Sequence, residues 1–162
     1  IDAIKVLNSR GVDTNYQLVG DLDAGNLTSA SLNDLDEWGK IPNLNVLGYK
    51  KDIAGVFEST NLVVLPSYRE GLPKVLIEAA ACGRAVVTTD VAGCRDAVIP
   101  DTTGLLVPVK DSIGLADAIQ KLIENPKQRI AMGQAGRALA EEAFTIEKVI
   151  SQHLSIYSEV LS

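Results

Sequence analysis

Five short apolar runs constrain the fold more than any other feature of the chain. They are YQLVG at 16–20, LNVLGY at 44–49, NLVVLPS at 61–67, AVVTT at 85–89 and TGLLVP at 103–108. Each is too short to stand as a helix. Each is separated from the next by a stretch whose apolar residues recur at helical spacing. Strands that alternate with helices cannot be joined by tight hairpins. They pair in parallel, and the crossover helices cover both faces of the sheet. A strand buried on both faces has no solvent side, which is why these runs read as continuous rather than alternating. The expected architecture is α/β, a parallel sheet with helices on both faces.

The intervening stretches carry their own start and stop signals. Ile4 and Leu7 share a helical face ahead of Gly11, a candidate C-cap. A helix over 28–40 has Thr28 as its N-cap and Gly39 as its stop, and one over 52–60 is capped by Asp52. Further helices are expected over 73–82, near 94–99, and over 112–124, 126–143 and 145–161. Pro126 suits a first helical turn, where a missing N–H costs nothing. With 162 residues the chain is long enough for one domain with a real core. It opens on a helix, without Met and without a leading strand. It therefore reads as a single domain, 1–162, cut at its N-terminal edge from a longer protein.

Composition narrows the function. Lys and Arg number 15 against 21 Asp and Glu, so the net charge of −6 argues against a nucleic-acid binder, which needs a basic face. A small anion is not excluded, because backbone N–H groups bind phosphate without net positive charge. His153 is the single histidine, and Cys82 and Cys94 lie in no CxxC, so no metal site is expected. Both cysteines read as buried small residues in a reducing, cytoplasmic compartment. No apolar run approaches the length that spans a bilayer. No GxGxxG follows a strand, which disfavours a dehydrogenase. Trp38 reads as a packing residue, and His153 is given no catalytic role.

In open parallel sheets ligands bind beyond the C-terminal ends of the strands. That directs attention to Gly20-Asp21, Gly48-Tyr49-Lys50, Ser67 to Pro73 and Asp90 to Gly93. Pro73 is placed as a first helical residue, leaving the N–H groups of Lys74 and Val75 free at a helix start. The helix dipole adds roughly half a positive charge there, which suits a phosphate. Glu78 lies about 7–8 Å further along the axis, where a carboxylate accepts hydrogen bonds from a ribose diol. Glu70 precedes the helix and would hold a second sugar on the other side of the anion. Other readings stand beside these. Glu70 near a helix start also serves as a plain dipole partner. The helix around Glu78 is apolar nearly all round and is expected to be buried, so Glu78 needs either an ion pair with Arg84 or Arg95, or a cleft.

The segment LPSYREGLPKVLIEAAACGRAVVTTDVAGCRDAVIPDTTGLLVPVKD at 65–111 resembles the donor half of a GT-B glycosyltransferase of the large retaining family four group. The mark of that family is a pair of glutamates with seven residues between them, here Glu70 and Glu78. YQLVGDLD, NLNVLGYKKDI and GLLVP match in order and spacing, so the resemblance covers nearly the whole chain. It implies a Rossmann-like C-terminal domain that binds a nucleotide-sugar, with the acceptor-binding N-terminal domain and an Arg/Lys diphosphate clamp lying outside this chain. By the same resemblance Glu70 contacts the donor sugar and Glu78 the ribose. Gly71, Leu72, Lys74 and Val75 face the sugar and diphosphate. Gly20 belongs to a strand-end loop of the donor site, and Tyr49, Lys50 and Lys51 lie by the base. The implied donor is UDP-linked and no metal cofactor takes part. The implied reaction is retaining transfer of a hexose to a glycan or lipid-linked acceptor in bacterial surface polysaccharide synthesis. The intact enzyme would sit in the cytoplasm or peripherally at the inner membrane through the other domain, towards which the last helix would reach. A GT-B nucleotide-sugar epimerase and a non-catalytic nucleotide-sugar binding module share these features and remain the alternatives.

Overall fold

The computed structural model describes residues 1–23, 25 and 29–161. Helices and strands alternate as α1 (Asp2–Ser9), β1 (Tyr16–Val19), α2 (Leu32–Trp38), β2 (Leu44–Gly48), α3 (Ile53–Glu58), β3 (Leu62–Leu65), α4 (Lys74–Ala81), β4 (Ala85–Thr89), α5 (Ala92–Ala97) and β5 (Gly104–Val107). Three helices follow: α6 (Ser112–Glu124), α7 (Pro126–Ala143) and α8 (Ile146–Leu161). All strand pairs are parallel, as the alternation requires. The hydrogen bonding falls into two ladders, β1-β2 and β3-β4-β5. Between β1 and β3 lies a cleft of about 710 Å³, lined by Tyr16 and Leu18 on one side, Leu62 and Val64 on the other, and Ile4 and Ile119 from α1 and α6.

Every residue of β4 is buried. Its period of two sends successive side chains to opposite faces. Ala85 and Val87 join Leu105 and Val107 of β5 against Ala3 and Leu7 of α1 and Leu115, Ile119 and Leu122 of α6. Val86 joins Leu76 and Ala79 of α4, Cys94 and Ala97 of α5, and Phe57 of α3 on the other face. A fully buried leucine such as Leu7 or Leu122 contributes about 2–3 kcal/mol.

Local signals set most helix ends. After α1 the amide of Val12 donates to Leu7 O at 3.1 Å and that of Gly11 to Asn8 O at 3.0 Å, with Gly11 at φ 71°. This pair of bonds is a Schellman stop, and it needs a residue that tolerates the left-handed region. The same pattern closes α4 at Gly83. Pro126 opens α7 with Asn125 as its cap. Three expectations shift. Helix α2 begins at Leu32, capped by Ser31, which accepts from the Asp34 amide while Asp34 accepts in return. That reciprocal box outcompetes an earlier start, and Thr28 lies outside the described residues. Helix α5 starts at Ala92, earlier than its apolar residues suggest, because the chain turns tightly at Asp90. Cys82 is half-buried rather than buried, and both cysteines are free.

Helix α7 crosses the α4–β4 turn at a glycine. A Cβ at Gly133 would meet Gly83 O at 2.1 Å and Gly83 C at 2.9 Å, both backbone. One turn on, a Cβ at Gly136 would meet Ala80 Cβ at 3.5 Å, Ala80 Cα at 3.7 Å and Thr103 Cβ at 3.9 Å, all ordinary contacts. Gly133→Ala should therefore destabilise the fold by about 1–3 kcal/mol through overpacking. Gly136→Ala should be neutral or stabilising by up to about 1 kcal/mol through helix propensity. Urea unfolding of the two variants checks the contrast.

Candidate functional site

The loop from β3 to α4 carries the glutamate-glycine step, and β4 holds it in place. The β3–β4 ladder ends at Leu65 opposite Thr88. Pro66 then has no N–H to continue it. Threonine hydroxyls take over: Thr88 Oγ1 donates to Leu65 O at 2.7 Å, and Thr89 Oγ1 donates to Ser67 O. Ser67 Oγ in turn donates to Glu70 Oε1 at 2.6 Å. From below, α5 presses on the same loop. A Cβ at Gly93 would lie 1.5 Å from Gly71 O and 2.7 Å from Glu70 O, so only glycine lets α5 approach this closely. Arg95 pairs with Asp90 at 2.7 Å across the turn that leads into α5.

Helix α4 begins at Lys74. Pro73 is its N-cap, at φ −74° and ψ 108°, rather than its first helical residue. Its ring presets φ, but ψ stays extended, and Pro73 O accepts from the Leu76 amide at 3.1 Å. No side chain caps this end. The amides of Lys74 and Val75 thus head the helix as the sequence implies. Glu78 departs from the expected burial. It is exposed, on one stripe with Lys74 and Ala81, while Leu76, Ala79 and Ala80 form the buried face. Short side chains make this helix look apolar all round, yet its packing uses only part of its circumference. Neither arginine pairs with Glu78: Arg95 takes Asp90, and Arg84 Nη2 reaches Glu58 O at 3.5 Å. That removes the ion pair with Arg84 or Arg95; Glu78 lies on exposed surface and lines neither of the two cavities described for this chain.

Gly71 and Leu72 are exposed between the two glutamates. Nothing lies within 4 Å of the position a Cβ would take at Gly71, and its φ is not in the left-handed region. Gly20 and Gly48 end β1 and β2 with φ of 145° and 64°, so there backbone conformation itself calls for glycine. The Gly20 amide donates to Gly48 O at 3.1 Å, bringing these two ends together. Tyr49, Lys50 and Lys51 follow, all exposed. Among the described residues no hydrogen bond or ion pair joins this group to the β3–α4 loop. Both groups nonetheless lie at the C-terminal ends of parallel strands. Beside the loop a cavity of about 240 Å³ is lined by Tyr68, Thr89, Pro108 and Lys110, with Lys110 Nζ 5.8 Å from the centre of the Tyr68 ring. Among the described residues no group of three or more His, Cys, Asp or Glu side chains converges on a metal position. None of the described helices is long and apolar enough to cross a membrane.

Ser67 and Gly93 bound strand-end segments that the sequence points to, but it assigns them no role, and it does not point to Thr89. Serine, threonine and glycine are common at strand ends, and only the meeting of the loop with the end of β4 and with α5 reveals what these three do.

The profile of the family described as glycosyl transferases group 1 matches residues 1–125. The chain belongs to the group 1 glycosyltransferases. It is 30% identical over 161 residues to the capsular polysaccharide biosynthesis glycosyltransferase CapM of Staphylococcus aureus, covering 99% of this chain and 42% of the relative. It is 34% identical over 149 residues to the N,N'-diacetylbacillosaminyl-diphospho-undecaprenol alpha-1,3-N-acetylgalactosaminyltransferase of Campylobacter jejuni, covering 91% of this chain and 38% of the relative. The chain thus spans less than half the length of either. Among solved structures, sucrose-phosphate synthase from Thermosynechococcus elongatus superposes with a TM-score of 0.86 at 28% identity, over 99% of this chain and 42% of that one. Anabaena HepE in complex with UDP-glucose shares the fold, with a TM-score of 0.75 at 20% identity over 98% of this chain and 52% of that one. The Rossmann-like half of a GT-B glycosyltransferase is therefore the fold of this chain.

Gly93→Ala in this glycosyltransferase chain should lower the melting temperature and shift the amide resonances of Glu70 and Gly71, because backbone cannot yield by the distance required. Gly71→Ala should leave the melting temperature near wild type, since its methyl enters open space. Thermal unfolding with amide NMR checks both.

Proposed function

We propose that the chain is the nucleotide-sugar-binding C-terminal domain of a retaining glycosyltransferase. The enzyme transfers a hexose from a UDP-linked donor to a glycan or lipid-linked acceptor in bacterial surface polysaccharide synthesis. The observation that carries this reading is the uncapped start of α4, with Glu70 before it, Glu78 exposed beyond its first turn, and open space over Gly71. Neither conformation nor packing demands glycine at 71, so room for a ligand explains it. The relatives in capsule and lipid-linked sugar synthesis, and the UDP-glucose complex of HepE, support the choice of donor and acceptor class.

In this reading the Lys74 and Val75 amides and the α4 dipole face the diphosphate. Gly71 and Leu72 border the hexose, and Glu70 accepts from its hydroxyls. Glu78 accepts from the ribose, and Gly20, Tyr49, Lys50 and Lys51 lie towards the base. During transfer the bond from the anomeric carbon to the diphosphate breaks, one to the acceptor oxygen forms on the same face of the ring, and the acceptor hydroxyl proton passes to the departing diphosphate. Charge grows on the leaving diphosphate, and the helix start with cationic side chains offsets it without a metal. Glu70 positions the sugar rather than attacking it. The acceptor site belongs to another domain, so this chain alone is inactive. The whole enzyme works in the cytoplasm, at the inner membrane where its acceptor is lipid-linked.

The cleft between β1 and β3 belongs to the same proposal. Both strands turn an unpaired edge towards it, and Ile1 lies in it beside Pro66, at the C-terminal end of β3. A strand running through the cleft into α1 would be parallel to both neighbours and would join the two ladders into one sheet. Among the described residues the Tyr16 hydroxyl, buried there, has no hydrogen-bond partner, and burial pushes its pKa above the ordinary tyrosine value. An added backbone would supply the missing partner. The diphosphate clamp would follow from the loop between that strand and α1.

Three outcomes are expected. Glu78→Gln should weaken UDP binding by about 1–3 kcal/mol, the scale of a charged hydrogen bond, measured by calorimetry. Unchanged affinity would remove Glu78 from the site. Glu70→Ala should leave UDP binding nearly intact yet weaken UDP-glucose, whereas Glu78→Ala should weaken both alike, with circular dichroism confirming the fold. In the longer enzyme Glu70→Ala should lower kcat as well. Hydrogen exchange should show cleft-edge amides of β1 and β3 far less protected than those of β4 in this chain, and protected in the longer protein. Turnover of a nucleotide-sugar by this chain alone would favour an epimerase instead.

A further inference from the structure

We propose that Ser67 is a positioning residue for Glu70, and that Thr89 anchors it. The proposal rests on the reading of Glu70 as the donor-sugar ligand. Ser67 Oγ donates to Glu70 Oε1 at 2.6 Å, the short distance of a charge-assisted hydroxyl–carboxylate bond. That bond occupies one carboxylate oxygen and leaves Oε2 to accept from a sugar hydroxyl. It also fixes the side chain of Glu70, a half-buried residue on a mostly exposed loop, where a free glutamate would sample several rotamers. Ser67 is itself held, because its carbonyl accepts from the hydroxyl of Thr89, a residue 3% exposed at the end of the central strand. The rigid core thus reaches the proposed sugar ligand through two hydroxyls. Neither hydroxyl is required by the ladder or by a helix cap. Gly93 supports the same loop through backbone packing, but its contact ends on the Gly71 and Glu70 carbonyls and leaves the Glu70 side chain unfixed.

The inference differs from a plain loop-stabilising role in what it leaves alone. A residue that only holds the loop would change folding and all ligand binding together. A residue that aims Glu70 changes only the part of affinity contributed by the hexose. The experiment is calorimetry on this chain with UDP, UDP-glucose and UDP-N-acetylglucosamine, using wild type, Ser67→Ala, Ser67→Thr, Thr89→Val and Glu70→Gln, with thermal unfolding of each. The quantity read is the ratio of sugar-nucleotide to UDP affinity. Ser67→Ala should lower that ratio about tenfold while leaving UDP affinity and melting temperature near wild type. Ser67→Thr, which keeps the hydroxyl, should restore it. Thr89→Val should lower it by a smaller factor. A drop with Glu70→Gln but none with Ser67→Ala would overturn the positioning role and leave Glu70 in the site. No drop with Glu70→Gln, or no gain from either sugar in the wild type, would overturn the reading of Glu70 and this inference with it. Equal losses for UDP and the sugar nucleotides in Ser67→Ala, or a matching fall in melting temperature, would make Ser67 a loop-stabilising residue and overturn the proposal.

Discussion

Burial of β4 on both faces is the constraint on which the remainder of the structure depends. Its alternate side chains divide the helices into two sets, with α1 and α6 against Val87 and α3, α4 and α5 against Val86. Neither set could form a core alone, because each helix offers a single apolar stripe. The strand also fixes the geometry beyond its own end. Thr88 holds the Leu65 carbonyl just before Pro66, where the ladder must stop, Thr89 carries the hydrogen bonding past it to Ser67, and Asp90 turns the chain into α5. The loop that bears Glu70 is therefore braced from two sides by consecutive parts of one element.

Close backbone approach is the second organising feature. Gly93 under Gly71 and Gly133 under Gly83 are places where two segments touch without side chains between them. Such contacts have little compliance, since backbone atoms cannot rotate away as a side chain does. They hold both ends of α4: the loop ahead of it rests on α5, and the turn behind it rests on α7. A helix clamped at both ends keeps its first amides aimed in one direction, which is what an anion site built from backbone requires.

The charge balance fits this arrangement. A chain with a net charge of −6 does not attract polyanions through its overall field. In the proposed site local dipoles and a few cations would act over short range instead, with the exposed Glu78 carboxylate one turn from the helix start. The apolar residues of α8, among them Ile146, Leu154, Tyr157 and Leu161, are likewise exposed, as the proposed contact with a further domain requires.

Much of this was legible in the sequence. The continuous apolar strands, the Schellman glycines Gly11 and Gly83, and Pro126 in a first turn each act through local sterics or hydrogen bonding, which neighbouring residues suffice to define. The glutamate pair and the helix start between them are local in the same sense. What only the tertiary structure decided is non-local. The exposure of Glu78 depends on which side of α4 its neighbours cover. The gap between β1 and β3 is a property of two edges that no single segment contains. The role of Gly93 exists only because α5 and the β3–α4 loop meet, and that of Thr89 because the end of β4 meets the same loop; contact between segments far apart in the chain leaves no periodicity for a sequence to display.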